Sequence, residues 1–144
     1  MANANDVANL FLSWANKEGD LITNLKMQKL LYYAQAWYLA NHKKSLFNEE
    51  FEAMEHGPVI TELYRAFKKY GFSHIKYNNS NKEELVFTKQ ELIFLQEFYS
   101  EFIDYSAHTL VSSTHNEPPW KETPLNEIIS KKSMQLYYSS LITK

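Results

Sequence analysis

The sequence predicts a mainly α-helical domain of about six helices with a small antiparallel sheet or hairpin. Apolar residues recur at the i, i+3, i+4, i+7 spacing of a helix in several stretches, and a Ser or Thr able to cap a helix precedes most of them. One short segment alternates like a strand. With 44% hydrophobic and 22% charged residues, the composition is that of a globular protein. We therefore expect residues 1–144 to form a single domain.

The first two predicted helices differ in how much of their surface is apolar. The first is amphipathic, can be capped by Asn5 and ended by Gly19, and buries four residues: Val7, Leu10, Phe11 and Trp14. The second begins at a Thr23 cap. Between residues 30 and 40 its only non-hydrophobic residue is Gln35, so about three turns have no solvent face. This second helix is predicted to be the central, buried one.

A short strand and a third helix are predicted next. The strand covers residues 50–54, with Phe51 and Ala53 on one face and Glu52 and His56 on the other. Gly57-Pro58 then predicts a break followed by the first turn of a helix. That helix runs to Gly71 and turns one apolar stripe inward: Ile60, Leu63, Tyr64 and Phe67.

The second half of the chain is predicted to hold a hairpin and three more helices. Residues 73–87 favour a hairpin around the turn Asn78-Asn79-Ser80-Asn81. Thr88 and Glu91 form a capping box, with Phe87 and Leu92 as the hydrophobic staple of a helix that runs to about Asp104. Ser106 caps a shorter helix in a segment that Pro118-Pro119 closes, and Ser130 precedes the last helix.

Composition excludes several classes of chemistry. The absence of Cys excludes disulfides, thiolate zinc sites, iron–sulfur clusters and cysteine nucleophiles. The five His lack a metal-binding spacing, and none of the three Gly belongs to a phosphate-binding loop or a nucleophile elbow. We therefore predict no metal, no cofactor and no catalytic residue. A His–carboxylate pair, formed by His56 with Glu52 or by His115 with Glu117, is the alternative that would make the chain an enzyme.

Net charge and the N-terminal sequence indicate which partners and which location to expect. The net charge of −2 gives no general attraction to nucleic acid or to acidic membranes. Residues 1–6 lack the basic start and apolar run of a signal peptide, and no apolar stretch approaches the roughly 20 residues of a membrane helix. A cytoplasmic protein is expected.

Two clusters have both a structural and a functional interpretation. The second helix carries a polar seam of Asn24, Gln28, Tyr32 and Gln35, which forms either an internal network or the wall of a site. The internal network is favoured, because one exposed turn and bonds to the backbone would satisfy these groups. The segment 114–120, Thr-His-Asn-Glu-Pro-Pro-Trp, is either a stiff corner that packs Trp120 or a presented anchor.

A candidate protein-binding surface follows from charge. Residues 61–77 are locally +3 and follow four glutamates, at positions 49, 50, 52 and 55. A solvated face explains such a run, and a partner-steering surface is the alternative. As a partner surface it would consist of five residues: Glu52, Arg65, Lys68, Lys69 and Trp120. Arg65 is the best candidate for an anchor, because Arg is enriched among the residues that dominate binding energy.

Three ordered segments resemble the Panacea domain, the SocA-like antitoxin domain of bacteria and their phages. They are residues 22–40 with Leu-Lys-Met-Gln-Lys-Leu-Leu-Tyr-Tyr-Ala-Gln, residues 46–71 with Glu-Ala-Met-Glu-His-Gly-Pro-Val, and residues 114–120 with Thr-His-Asn-Glu-Pro-Pro-Trp. Met54 and Glu55 stand where the family tends to have Trp and Lys. The polar residues carried by the matching motifs are Gln28, Tyr32, Gln35, His56, His115 and Glu117.

The resemblance implies an antitoxin that neutralises a co-encoded, growth- or translation-inhibiting protein toxin by direct binding. Some family members act instead as adaptors that deliver the toxin to a cytoplasmic AAA+ protease, and that is the nearest alternative. Longer relatives carry a DNA-binding segment, which this chain lacks room for before Val7. We therefore expect no nucleic acid or membrane partner for this chain alone, whereas a homo-oligomer remains open.

Overall fold

The computed structural model describes residues 1–78 and 80–142 and confirms the mainly α fold with a small antiparallel sheet. Over these residues the α-helices are α1 (Ala4–Glu18), α2 (Asn24–His42), α3 (Thr61–Phe67), α4 (Lys89–Phe102), α5 (Ala107–His115), α6 (Pro118–Lys121) and α7 (Lys131–Ser140). The strands are β1 (Phe51–Met54), β2 (Gly57–Val59) and β3 (Ile128–Ile129). Two 3-10 helices cover Lys68–Tyr70 and Glu83–Val86.

Helix α2 is the buried axis of the molecule, as its nearly all-apolar sequence predicts. It begins at the predicted cap, where the Thr23 side chain accepts a hydrogen bond from the Lys26 backbone N–H. Tyr32 and Tyr38 are among its fully buried side chains. Helix α7 packs along α2, and α1, α4, α5 and β2 contact its other sides. The residues of α2 are therefore the ones around which the remaining elements are arranged.

Helix α1 begins two residues earlier than predicted. Asn3, not Asn5, is the N-cap: its side chain accepts from Asp6 N–H, and the Asp6 carboxylate accepts from Asn3 N–H. The earlier start buries Ala4 completely, which is the physical gain over a start at Asn5. The predicted end is confirmed, with Gly19 in the left-handed region at φ 76°.

The sheet corrects the interpretation of Gly57-Pro58. Instead of opening a helix, these residues belong to β2, which pairs antiparallel with β1 in the strand order β2-β1-β3. Pro58 fits there because β2 is an edge strand, where a missing N–H is tolerated. His56 lies in the turn after β1 and is exposed, so it does not share a strand face with Glu52. Helix α3 starts only after Ile60.

Residues 73–87 do not form the predicted hairpin in the portion of the segment that the structure describes. Ile75 N–H donates to Ile22 O at 2.8 Å, next to an isolated bridge between Thr23 and His74. Residues 83–86 are a 3-10 helix rather than a strand, and Asn79 of the predicted turn lies outside the described residues.

The inward-facing apolar stripe of α3 is narrower than predicted, because Tyr64 is 39% exposed.

The later helices begin where their caps predict. Thr88 forms the capping box of α4 with Glu91, and Ser106 and Ser130 accept the first hydrogen bonds of α5 and α7. The prediction for Pro118-Pro119 is wrong in detail. The two prolines open the short helix α6 instead of closing a segment. Proline is suited to this position because the first N–H groups of a helix have no partner within the helix, so a missing N–H costs nothing there. None of the described helices is long and apolar enough to cross a bilayer.

Candidate functional site

Three motif segments that are distant in the sequence meet around the N-terminal half of α2. Helix α2 contributes Lys29, the start of strand β2 contributes Gly57, and the end of α5 contributes Thr114. We call this meeting point the motif junction.

Lys29 is a fully buried lysine at the motif junction. Its Nζ donates to Pro58 O at 2.8 Å, which ties α2 to the edge strand β2. The only ion pair among the described residues joins Lys131 and Glu50, so no carboxylate there compensates the Lys29 charge. Burial lowers the pKa of Lys29 from 10.5 to about 7. Burial thus disfavours the ammonium form, whose hydrogen bond goes to a neutral carbonyl.

Gly57 is required by the close packing of the motif junction. Its φ is 105°, a backbone conformation that favours glycine. A Cβ at this position would lie 2.6 Å from Lys29 Cε and 2.9 Å from Thr114 Oγ1. Thr114 is itself fully buried and donates from Oγ1 to Val111 O at 2.8 Å. A side chain at position 57 would consequently displace both neighbours.

Trp120 closes one side of the junction as a packed corner. Its Nε1 donates to Met54 O at 2.8 Å, and its ring stacks on His115 with centroids 4.1 Å apart. Residues 114–120 thus form a corner that packs Trp120 against the protein, as the corner interpretation predicts. The His115 and Trp120 side chains are both half-buried. The Nε2 atom of His115 is buried and has no hydrogen-bond partner among the described residues.

Glu117 faces a cluster of buried tyrosines rather than His115. Its Oε1 accepts from Tyr33 OH at 2.7 Å and from Tyr138 OH at 2.6 Å, and the Tyr32 hydroxyl lies 3.3 Å from that of Tyr138. Burial, reinforced by the Glu117 carboxylate, raises the pKa of Tyr33 and Tyr138, so both remain protonated donors. Within the described residues no hydrogen bond joins Glu117 to His115. The cluster connects α2, the start of α6 and α7.

The polar seam of α2 is an internal network over its first half. Gln28 donates from Nε2 to Asn24 Oδ1 at 3.0 Å and accepts from Ile60 N–H at 2.9 Å. Asn24 in turn donates from Nδ2 to Tyr64 O at 3.0 Å. Both side chains are buried, and every bond goes to the scaffold. These amides fix where α3 begins relative to α2.

Gln35 has the same role about two helical turns beyond Gln28. It donates from Nε2 to Phe47 O and accepts from Leu46 N–H, both at 2.7 Å. The side chain is completely buried. The Gln35 amide pairs with backbone groups of residues 46 and 47 that have no partner in a helix or strand. It thereby holds the connection between α2 and β1 in place.

The basic surface predicted from the sequence lies on α3 and on the 3-10 helix that follows it. Arg65 projects from α3, and Lys68 and Lys69 from the following 3-10 helix; all three are exposed. Lys69 Nζ lies 5.4 Å from the ring centroid of Tyr70. No hydrogen bond or ion pair in the described residues joins these cations to Glu52 or to Trp120. Glu52 is half-buried on the outer face of the sheet, opposite Val59 and Ile128.

Lys29 and Gly57 were not among the candidate site residues taken from the sequence. The only sequence feature that could have indicated a buried Lys29 is its position next to a long apolar run. Surface lysines also flank such runs, so this feature does not distinguish a buried lysine from an exposed one. Gly57 was interpreted as a break before a helix. No group of three or more His, Cys, Asp or Glu able to hold a metal occurs in the described portion of the chain.

Comparison with known proteins adds two matches. The family model described as "Antitoxin SocA-like, Panacea domain" matches residues 27–121, which is more than half of the chain. A curated relative, "Antitoxin SocA" of Caulobacter vibrioides (strain NA1000 / CB15N), is 38% identical over 84 residues. That alignment covers 58% of this chain and 44% of the relative, so the chain spans less than half of the relative's length. No solved structure matches the chain.

Proposed function

The chain belongs to the antitoxin SocA-like, Panacea domain family, and from this membership we propose that it neutralises a co-encoded toxin by binding it directly. The toxin would be a protein that inhibits growth or translation. The antitoxin role follows from the family, and the hydrogen bonds of the motif side chains support direct binding.

The state of the motif residues is the observation that supports a binding role. Three polar side chains of the family motifs form their hydrogen bonds within the protein: Gln28 and Gln35 with backbone groups, and Glu117 with two tyrosines. A carboxylate that accepts from two buried hydroxyls is poorly placed to take a proton from a substrate. Such residues stiffen a module, and a stiff module loses little entropy when it binds a partner.

The toxin-facing surface that we propose is the basic one around Arg65, Lys68 and Lys69. All three cations are exposed, and Glu62 is exposed on α3 beside Arg65. Charges placed at the rim of an interface accelerate association more than they strengthen the complex. Glu52 and Trp120 complete the proposed surface on the side of the sheet.

The decisive experiment is co-expression of this chain with the product of the neighbouring gene, scored by growth rescue and co-purification. In a cell-free translation assay with a translation-inhibiting toxin, activity should return as the chain approaches one equivalent of toxin. Restoration by a small fraction of an equivalent would contradict direct binding and favour an enzyme. Rescue that disappears in protease-deficient cells would favour the adaptor alternative.

The surface has its own test, which uses affinity for the purified toxin. Arg65→Ala and Lys68→Ala should lower the association rate, and the effect should shrink as salt rises. Lys132→Ala, an exposed lysine of α7, is the matched control and should behave as wild type. Circular dichroism checks that each variant is folded. Wild-type affinity in both test variants would reject this surface while leaving the antitoxin role intact.

A further inference from the structure

A long apolar groove lies between α4 and the C-terminal half of α2, in a region of the molecule that the motif junction does not use. It encloses about 880 Å³, near the upper end of the range for small-molecule pockets. Its apolar lining consists of Trp37, Ile93, Phe94, Phe98 and Phe102, and all of these but Ile93 are aromatic. The three Phe rings stack in series, with centroids 6.2 Å apart for Phe94–Phe98 and 4.4 Å for Phe98–Phe102. We call this feature the α2–α4 groove.

The shape of the α2–α4 groove suits a helix better than a compact ligand. Its lining extends along α4 from Lys89 to Phe102, which corresponds to about 20 Å at the rise of an α-helix. Ile93 at its edge leaves 49% of its surface exposed. An apolar trough several helical turns long is the surface that amphipathic helices occupy, with anchors spaced three and four residues apart.

The charge along the groove is asymmetric. Glu97 and Glu101 are exposed and stand one helical turn apart at the Phe102 end of the groove, and like charges at this i, i+4 spacing repel each other. Neither carboxylate forms an ion pair or hydrogen bond with any described residue. Lys89 lines the opposite end. A cationic group placed over the two glutamates would therefore relieve an existing repulsion.

We propose that the α2–α4 groove binds an amphipathic helix of a partner protein, apolar along one face and carrying Lys or Arg over Glu97 and Glu101. This goes beyond the proposed function and does not depend on it. The basic surface of α3 lies near the other end of α2, where Asn24 bonds to Tyr64 O, so both surfaces can be occupied together.

A second copy of this chain is a poorer occupant. Two antiparallel α4 helices would bring Lys89 of each copy near Glu101 of the other, but the ridge entering the groove would be formed by Gln90, Ile93 and Glu97. Only Ile93 among these is apolar, and burying a carboxylate against a Phe floor is unfavourable. A partner helix with a continuous apolar face avoids this cost.

The test uses two synthetic helical peptides of about 14 residues, matched to the groove length. Both have one Leu face; the remaining positions are Lys in one peptide and Glu in the other. Fluorescence anisotropy measures their affinity for wild type and for the double variant Glu97→Lys/Glu101→Lys. Wild type should prefer the Lys peptide by about tenfold or more, and the double variant should reverse that preference. Glu62→Lys on α3 is the matched control and should keep the wild-type preference.

Four outcomes would overturn the proposal. They are absence of Lys-peptide binding to folded wild type, equal binding of a scrambled Lys peptide without an apolar face, an unchanged preference in the double variant, and self-association of wild type that the double variant abolishes. Ile93→Ala provides a second probe that leaves the charge intact. It should weaken the Lys peptide severalfold because it removes the exposed apolar edge.

Discussion

The buried Lys29 makes stability depend on pH in a direction that can be calculated. Its pKa falls from 10.5 in the unfolded chain to about 7 in the folded protein because the group is buried. Between these values the unfolded chain binds a proton that the folded chain does not. The free energy of unfolding must therefore rise with pH across this window. The contribution of Lys29 to stability is least favourable below about pH 7, where both states are protonated.

The size of the effect follows from the same shift. Each pKa unit corresponds to about 1.4 kcal/mol, so the full difference between neutral and alkaline pH is roughly 4 to 5 kcal/mol. The measurable range lies between about pH 7.5 and 8.5, because tyrosines of the unfolded chain are partly ionised above about pH 9, whereas burial keeps several of them protonated in the folded protein. Over that range the free energy of unfolding should rise by about 1 kcal/mol.

Lys29→Met tests this reasoning, since Met keeps an unbranched apolar chain and removes the titrating group. Urea unfolding followed by circular dichroism at several pH values should show the rise in wild type and a clearly shallower profile in the variant, where Lys26, whose pKa burial also lowers, still titrates. Lys132→Met, at an exposed position of α7, should retain the wild-type profile. A flat wild-type profile, or a variant that keeps the full slope, would refute the assignment of the slope to Lys29. A flat wild-type profile would refute the reasoning even if Lys29→Met does not fold.

Three further predictions concern stability, each measured by denaturant midpoint. Thr88→Ala should lower the free energy of unfolding by about 1 kcal/mol, because Thr88 Oγ1 accepts the Glu91 N–H at 3.1 Å; an unchanged midpoint would contradict the cap. Gly57→Ala should cost about 2 to 3 kcal/mol or more, since its Cβ would meet Lys29 Cε at 2.6 Å. Gly19→Ala, also at positive φ but with open space, should cost less. Glu117→Gln should cost about 1 to 3 kcal/mol by weakening two tyrosine hydrogen bonds, and an equal midpoint in variant and wild type would argue against the cluster.

The helices were the elements of the fold that local sequence specified. Caps at Thr23, Thr88, Ser106 and Ser130 bond to backbone groups three residues away, so their chemistry is complete within one turn. The apolar periodicity of α2 also showed that it is buried. The N-cap of α1 was misplaced because Asn3 and Asn5 can both cap a helix. The start at Asn3 allows Asp6 to complete a capping box and buries Ala4.

The sheet shows where local information ends. Strand β3 has two residues, too few for any alternation to appear, and its register with β1 joins positions far apart in the chain. Gly57-Pro58 has the same local chemistry whether it starts a helix or an edge strand. Pairing with β1 decides between them, and pairing is a property of two segments together.

By itself the sequence determined the mainly α architecture, the central helix and the resemblance to the family, because helical periodicity, caps and motif order are read along one chain. The tertiary structure alone decided which partner each buried polar group meets. Lys29 finds a carbonyl of β2, Glu117 finds hydroxyls of α2 and α7, and Trp120 finds the end of β1. Buried polar atoms must be paired, but the pairing depends on which elements come together in space, and spacing along the chain does not contain that information.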